Sequence, residues 1–418
     1  MNFVMARINL ITGIPSVAVQ SSIDWILFFA LMPILAAGLV TMYSFGERTT
    51  VCPPQSDVVA GVVSDSICTE ESTNGNTLFF KQVVWIIFAF LVFFAGSLID
   101  WRFLRRTDVL FGLFLSGTTL LLLLFLLGKI VKGAQSWFDL GVLSFQPVEL
   151  VKLILILVLA KYFSRRHIEI AHIRHIVVSG VYALILFLLV LLQPDFGGAL
   201  VIFAIWLGMV LLSGISKRHL LAVFLVAVVS GTVLWTSVFE EYQKQRLITF
   251  LNPLTDISGS GYNAYQSMIA VGSGELLGKG VGYGTQSRLQ FLPEYQTDFI
   301  FAAFAEEWGF IGVVILFSLY GIVIWRILIN ALHGLSNFEI LYGLGLAILI
   351  VSQFLIHVGM NLGMLPITGL SLPFMSYGGT YMVTLFLGLG ILMGMRRYRR
   401  AAHKEEGQNE FVGISSGN

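Results

Sequence analysis

The residues able to do chemistry lie where apolar stretches meet polar loops. Asp298 sits inside Phe291-Leu-Pro-Glu-Tyr-Gln-Thr-Asp-Phe-Ile-Phe-Ala-Ala-Phe-Ala-Glu-Glu-Trp-Gly309, at the point where a long polar loop runs into a long apolar segment. A carboxylate at the mouth of a membrane helix is costly unless something there uses it. It could do acid–base work, or it could cap the helix that follows, as could Thr297. Glu306 follows eight residues later, roughly 80° around an ideal helix from Asp298, whereas Glu307 falls on the opposite face. Asp298 and Glu306 are therefore expected to share a cavity and to titrate as a pair. Glu149 and Lys152 are three apart and share a helix face, either as a structural ion pair or as a cation able to meet an anionic substrate. Asp195 follows Pro194 at a helix break and reads best as an N-cap. Arg246, Lys279 and Arg288 are further cations in the same long loop.

The elements that must position these groups are membrane helices. The chain is 56% hydrophobic and 12% charged, with a net charge of +1. That composition marks a polytopic membrane protein, and nothing in the charge suggests nucleic acid. About 20 apolar residues are needed to cross the hydrocarbon core. Ten stretches qualify: 24–45, 79–99, 108–128, 147–163, 176–193, 197–214, 219–237, 299–325, 339–359 and 379–395. The first is too long for a cleaved signal peptide and lacks a small-residue cleavage site after it. The expected fold is all-α, with both ends on one side. On that side fall 16 of the 25 Lys and Arg residues, among them Arg102, Arg105, Arg106, Arg326 and the run from Arg396 to Arg400. The basic side is the cytoplasmic one. Residues 1–22 form a cytoplasmic segment, 23–400 the membrane domain, and 401–418 a polar tail expected to be disordered. The loops at 46–78, 129–146, 238–298 and 360–378 then face outside, and Asp298 with them.

Position narrows the chemistry. No ATP or nicotinamide pool exists outside the cytoplasm, so a reaction there needs a substrate activated beforehand. Gly272-Ser-Gly-Glu-Leu-Leu-Gly-Lys-Gly-Val-Gly-Tyr-Gly284 is not a nucleotide loop, because Gly280 rather than Ser or Thr follows Lys279. Its glycines serve tight turns, with a backbone cradle for pyrophosphate as the alternative. Gln146-Pro147, Gln193-Pro194 and the Gly- and Pro-rich but apolar stretch 360–378 interrupt the helices on the outer side. Non-helical backbone at that depth must be buried in protein or line a wet cavity; ordinary proline punctuation at helix starts is the other reading. No histidine cluster has zinc spacing. Cys52 and Cys68 share the first outer loop, as a disulfide or as two free thiols.

Several of these segments together resemble one family. Gly133-Ala-Gln-Ser-Trp-Phe-Asp-Leu-Gly141, Phe145-Gln-Pro-Val-Glu-Leu-Val-Lys152, Gln193-Pro-Asp-Phe-Gly197, Phe291–Gly309, and Leu365-Pro-Ile-Thr-Gly with Pro373-Phe-Met-Ser-Tyr-Gly-Gly379 are similar to the motifs of the SEDS proteins of the bacterial cell envelope (RodA, FtsW and SpoVE), in their order, over about residues 23–400. The Leu-Pro-Glu-Tyr-Gln-Thr-Asp-Phe form of the central motif looks most like the RodA branch. Ser136 stands where the family usually has Arg, and Val148 where it usually has Ser.

The resemblance implies ten transmembrane helices in the bacterial plasma membrane and a peptidoglycan glycosyltransferase. Such an enzyme polymerises lipid II, a disaccharide-pentapeptide on undecaprenyl pyrophosphate, at the outer face. It implies that Asp298 is the essential aspartate acting as general base, and that Glu149 and Lys152 are the family's Glu and Lys. The leaving pyrophosphate would need Lys152, Arg246, Lys279 or Arg288, or a divalent cation such as Mg or Mn. A class B penicillin-binding transpeptidase and other elongation-complex proteins are the implied partners. A lipid II flippase, and the FtsW-like or SpoVE-like branch, stand as alternatives.

Overall fold

The computed structural model describes residues 23–44, 75–131, 134–139, 144–164, 173–233, 260–289, 291–292 and 294–415, with isolated positions between 234 and 259. Its helices are α1 (Trp25–Ser44), α2 (Gly75–Leu98), α3 (Thr107–Leu127), α4 (Pro147–Ser164), α5 (Ile173–Leu192), α6 (Phe196–Leu212), α7 (Lys217–Val233), α8 (Ser260–Ser273), α9 (Thr285–Arg288), α10 (Ile300–Leu332), α11 (Asn337–Asn361) and α12 (Gly379–Ser415). Seven are long and apolar enough to cross a membrane: α1, α2, α3, α5, α10, α11 and the part of α12 up to Arg397. Every one of the ten apolar stretches is helical, but α6 and α7 have 17 residues each, and the 18 of α4 include Glu149, Lys152 and Lys161.

Two features depart from the all-α expectation. Lys129–Val131, Ala134–Asp139 and Ser144–Phe145 form a small antiparallel sheet (β1 to β3) above α3 and α4. A tight polar connection between two helix ends gains its backbone hydrogen bonds most cheaply as a hairpin. The last helix also continues to Ser415, through most of the stretch expected as a tail. Ala401, Ala402, Lys404, Glu405 and Glu406 are strong helix formers and extend a helix already begun.

Close backbone approach holds the bundle. A Cβ on Gly390 of α12 would lie 2.9 Å from Phe93 O, and one on Gly96 of α2 would lie 3.3 Å from Gly390 Cα. Small residues of this kind let membrane helices pack where no hydrophobic drive separates lipid from leucine. Phe93 and Phe386 fill the space beside them.

The basic end is tied by charge. Asp24, just before α1, is buried and accepts from Arg326 Nη2 (2.6 Å) and Nε (2.9 Å), from Asn330 Nδ2 (2.7 Å) and, through Oδ1, from Leu27 N (3.2 Å). Arg396 Nη1 of α12 lies 3.3 Å away. Burial alone would push the Asp24 carboxyl up; Arg326, Asn330 and the Leu27 N–H outweigh it and hold the group below its ordinary value. A depressed carboxyl stabilises the fold at neutral pH, and the contribution fades only as pH falls through the lowered value. Arg105 pairs with Glu339 on the same side. Asp24→Ala would strand Arg326 and Arg396 without their counter-charge. It is expected to lower stability by about 3–5 kcal/mol at pH 7, read by denaturant unfolding in mixed micelles, with a smaller loss at strongly acidic pH.

Candidate functional site

Asp298 lies on a turn, not in a helix. Glu294, at positive φ (55°), offers one carbonyl to three N–H groups: Thr297 (3.1 Å), Asp298 (3.1 Å) and Phe299 (3.3 Å). The helix starts only at Ile300, with Phe299 as a cap that makes no side-chain bond. Neither Asp298 nor Thr297 therefore takes the capping place, and the Thr297 hydroxyl turns back to Glu294.

The stretch 360–378 grips this turn from the other side. Tyr377 N donates to Gln296 O (2.9 Å), Ser376 Oγ to Thr297 O (2.8 Å) and Asn361 Nδ2 to Asp298 O (3.0 Å). Three successive carbonyls are thus fixed, which sets where the Asp298 side chain points. Asn361 is itself fully buried and held by its second bond to His357 O (2.8 Å) and by the Ser267 hydroxyl on Asn361 O (2.9 Å). The Asp298 side chain is partly exposed, and its Oδ2 would lie 3.7 Å from a Cβ on Gly369, a residue at φ +71°.

That loop also joins Asp298 to the other charged groups. Thr368 O, one residue before Gly369, is 2.7 Å from where a Cβ on Gly197 would stand, at the start of α6. Asp195 caps α6 there, accepting from Gly198 N at 2.7 Å, as its sequence position suggests. Lys152 is completely buried and bonds Glu149 at 2.8 Å, and its charge also acts on Asp195. Glu149 accepts from Gln353 (3.4 Å), whose side-chain oxygen accepts from the Tyr381 hydroxyl (3.2 Å); that hydroxyl also reaches Ser371 O (3.0 Å). The 362–378 loop thus touches both the Asp298 turn and the start of α6, where Asp195 caps the helix.

Glu306 is bonded to the glycine-rich stretch and α9. Its Oε1 accepts from Lys279 Nζ (2.8 Å), Thr285 Oγ1 (3.0 Å) and Gln286 N (3.1 Å). The 80° angle between Asp298 and Glu306 assumed a helix running back through residue 298, and the helix begins only at Ile300. Lys279 is correspondingly committed to Glu306 and Thr285. The glycine-rich stretch packs on α10 at its break. Gly309 has φ 63° and ψ −167°. Lys279 N and Gly280 N donate to Glu306 O and Glu307 O (3.0 Å each), while Phe310 N and Ile311 N donate to Glu275 O (2.9 Å) and Leu276 O (3.1 Å). A Cβ on Gly278 would stand 2.1 Å from Glu307 O, so these glycines allow contact with a broken helix. Arg246, Cys52 and Cys68 lie outside the described residues, as does the side chain of Arg288 in α9. Among the described residues no three His, Cys, Asp or Glu side chains converge as a metal-ligand group.

Ser376 lies within the Pro373–Gly379 motif, whereas Asn361, Gln353 and Tyr381 lie outside all such motifs. Gln353 could have been noticed as an amide in the middle of an apolar span, where a polar group needs a partner.

Helices broken on one side around a clamped aspartate and a buried Glu–Lys pair define a class of polytopic membrane protein. A family model covering FtsW, RodA and SpoVE, described as cell cycle protein, matches residues 58–401, and the chain belongs to that family. It is 40% identical to the Escherichia coli (strain K12) peptidoglycan glycosyltransferase MrdB over 278 residues, which are 66% of this chain and 75% of that one. It is 34% identical to the Bacillus subtilis stage V sporulation protein E over 274 residues (65% and 74%). Among solved structures it matches a chain described under structural coordination of polymerization and crosslinking by a peptidoglycan synthase complex, with TM-score 0.71, 30% identity and coverage of 90% of this chain and 98% of that chain. Thermus thermophilus rod shape determining protein RodA matches with TM-score 0.62, 29% identity and coverage of 90% and 97%.

Lys152→Met would leave Glu149 and Asp195 without their cation. A loss of about 3–5 kcal/mol is expected, and much less when Glu149→Gln is combined with it. Equal, additive losses in a double-mutant cycle would show that the two side chains are not coupled.

Proposed function

We propose that this chain is a peptidoglycan glycosyltransferase that polymerises lipid II at the outer face of the bacterial plasma membrane, in the branch that serves cell elongation. The family membership and the 40% identity to MrdB support the activity and the branch. All ten helical stretches would cross the membrane, with the Asp24–Arg326–Arg396 end in the cytoplasm. Asp298 is the general base, and the observation that carries this role is the clamp on the carbonyls of Gln296, Thr297 and Asp298. A base that must meet a hydroxyl within hydrogen-bond reach gains from a fixed backbone and a side chain open to one side.

In the reaction, Asp298 takes the proton of the acceptor sugar's 4-hydroxyl as that oxygen attacks the donor's C1. The bond from C1 to the pyrophosphate oxygen breaks, the electron pair leaves with undecaprenyl pyrophosphate, and the anomeric centre inverts. Lys152 lies wholly inside the protein, so it serves the site by holding Glu149 and Asp195 rather than by touching substrate. Arg246 and Arg288 are the cations left for the leaving phosphates. A divalent cation such as Mg or Mn, if bound there, would supply charge neutralisation for the leaving phosphates. The likeness to a chain of a synthase complex supports a crosslinking transpeptidase as partner.

Purified protein given lipid II in detergent tests the reading. Asp298→Asn is expected to fold normally and to lose at least 100-fold in glycan formation, within the range of about 10²–10⁴ for a general base. Glycan synthesis at the wild-type rate by that variant would sink the assignment. A lipid II flippase would make no glycan in detergent even as the wild type. Asn361→Ala removes one of the three clamps. It is expected to lower kcat about 10- to 100-fold with KM nearly unchanged, measured in the same assay.

A further inference from the structure

The break in α10 can be placed in depth with two rulers. The first is α1: its 20 residues, Trp25–Ser44, measure about 30 Å at 1.5 Å per residue, which matches the hydrocarbon core. Its ends carry exposed aromatics, Trp25 and Tyr43, as boundary positions do. Asp24 thus marks one boundary and Ser44 the other. The second ruler is α10, antiparallel to α1 and tied to it by the Asp24–Arg326 pair. Ile311 lies 15 residues from Arg326, or about 22 Å. This leaves it about 8 Å inside the far boundary, and tilt would only deepen it. The rulers agree near that boundary, because a Cβ on Gly282 would lie 3.7 Å from Ser44 O, and Gly282 N bonds Glu307 at 2.6 Å.

The glycine-rich loop is hydrogen-bonded to α10 at this depth. Leu276 O takes the Ile311 N–H and Glu275 O takes that of Phe310. Leu276 and Leu277 are 67% and 78% exposed, and they continue the exposed apolar face of Phe310, Ile311, Val314 and Ile315. Non-helical backbone is tolerated at membrane depth only when its polar groups are satisfied. That condition is met by the Glu275, Leu276, Lys279 and Gly280 pairings with α10.

We propose that Gly274–Gly282 is a re-entrant loop that dips into the leaflet opposite Asp24, with Leu276 and Leu277 in contact with phospholipid acyl chains. The face is continuous with the lipid-facing side of a membrane-spanning helix, which is why lipid rather than a protein covers it. The loop holds α10 at its break, so it fixes the height of the membrane surface relative to Asp298.

The test uses the full chain with Cys52→Ser and Cys68→Ser, reconstituted alone in phosphatidylcholine–phosphatidylglycerol nanodiscs. A nitroxide is attached at Leu277→Cys, at Ile315→Cys as the lipid reference and at Glu294→Cys as the water reference. Power saturation compares collisions with oxygen and with a water-soluble nickel chelate. At 277 the oxygen-favoured ratio of Ile315 is expected, at least severalfold above that of Glu294. A ratio equal to that of Glu294, or low collision with both reagents, would overturn the proposal, since the side chain would then meet water or protein. Leu276→Cys repeats the measurement should the first variant assemble poorly.

Discussion

A backbone polar group without a partner costs several kcal/mol in hydrocarbon, and much of the structure around Asp298 and Gly309 follows from that penalty. The Gly309 break in α10 exposes carbonyls on one side and N–H groups on the other. The glycine-rich loop supplies both kinds of partner at once, taking Phe310 N and Ile311 N and giving Lys279 N and Gly280 N. Side chains on that loop would prevent such contact, which is why Gly274, Gly278 and Gly309 meet backbone where a Cβ would be. The carboxylates of Glu306 and Glu307 serve the same end, since each bonds a loop N–H.

The same need shapes the turn at Asp298. Residues 294–299 are not helical, so their carbonyls require donors from elsewhere. Asn361, Ser376 and Tyr377 provide them. The stretch that looks like a loop rich in Gly and Pro is therefore a set of donors aimed at the turn. Fixing the Asp298 turn and satisfying its backbone are one task, since the same three donors do both. A base on the helix itself would share the helix's rigid spacing and could not be adjusted independently of the packing below.

How far the sequence leads follows from which forces are local. The ten apolar stretches are composition, and each became helical. The Glu149–Lys152 pair is a spacing of three on one helix, and it formed. Asp195 as a cap rests on a neighbouring helix start alone, and it holds as well. The angle drawn from Asp298 to Glu306 assumed a helix continuing through residue 298, whereas the helix starts at Ile300 and the turn before it is gripped at Gln296–Asp298. The role of Asn361 is equally non-local, since its partner lies 63 positions away in sequence. α12 runs on to Ser415 although its end is polar, because Ala, Lys and Glu extend a helix already begun.

The allotment of charge along the membrane normal ties these parts together. At the basic end Asp24 is shared by Arg326 and Arg396, so two cations hold one anion and three helices meet there. Toward the other end carboxylates outnumber cations: Lys152 bonds Glu149 and its charge also acts on Asp195, and Lys279 bonds Glu306 with Glu307 beside it. Among the described residues, Lys152 and Lys279 are both engaged with carboxylates. The two lysines hold those carboxylates, and the clamped turn holds Asp298. These are separate duties, because a lysine that left Glu149 for a phosphate would strand a carboxylate inside the protein, at a penalty that a transient contact with substrate could not offset.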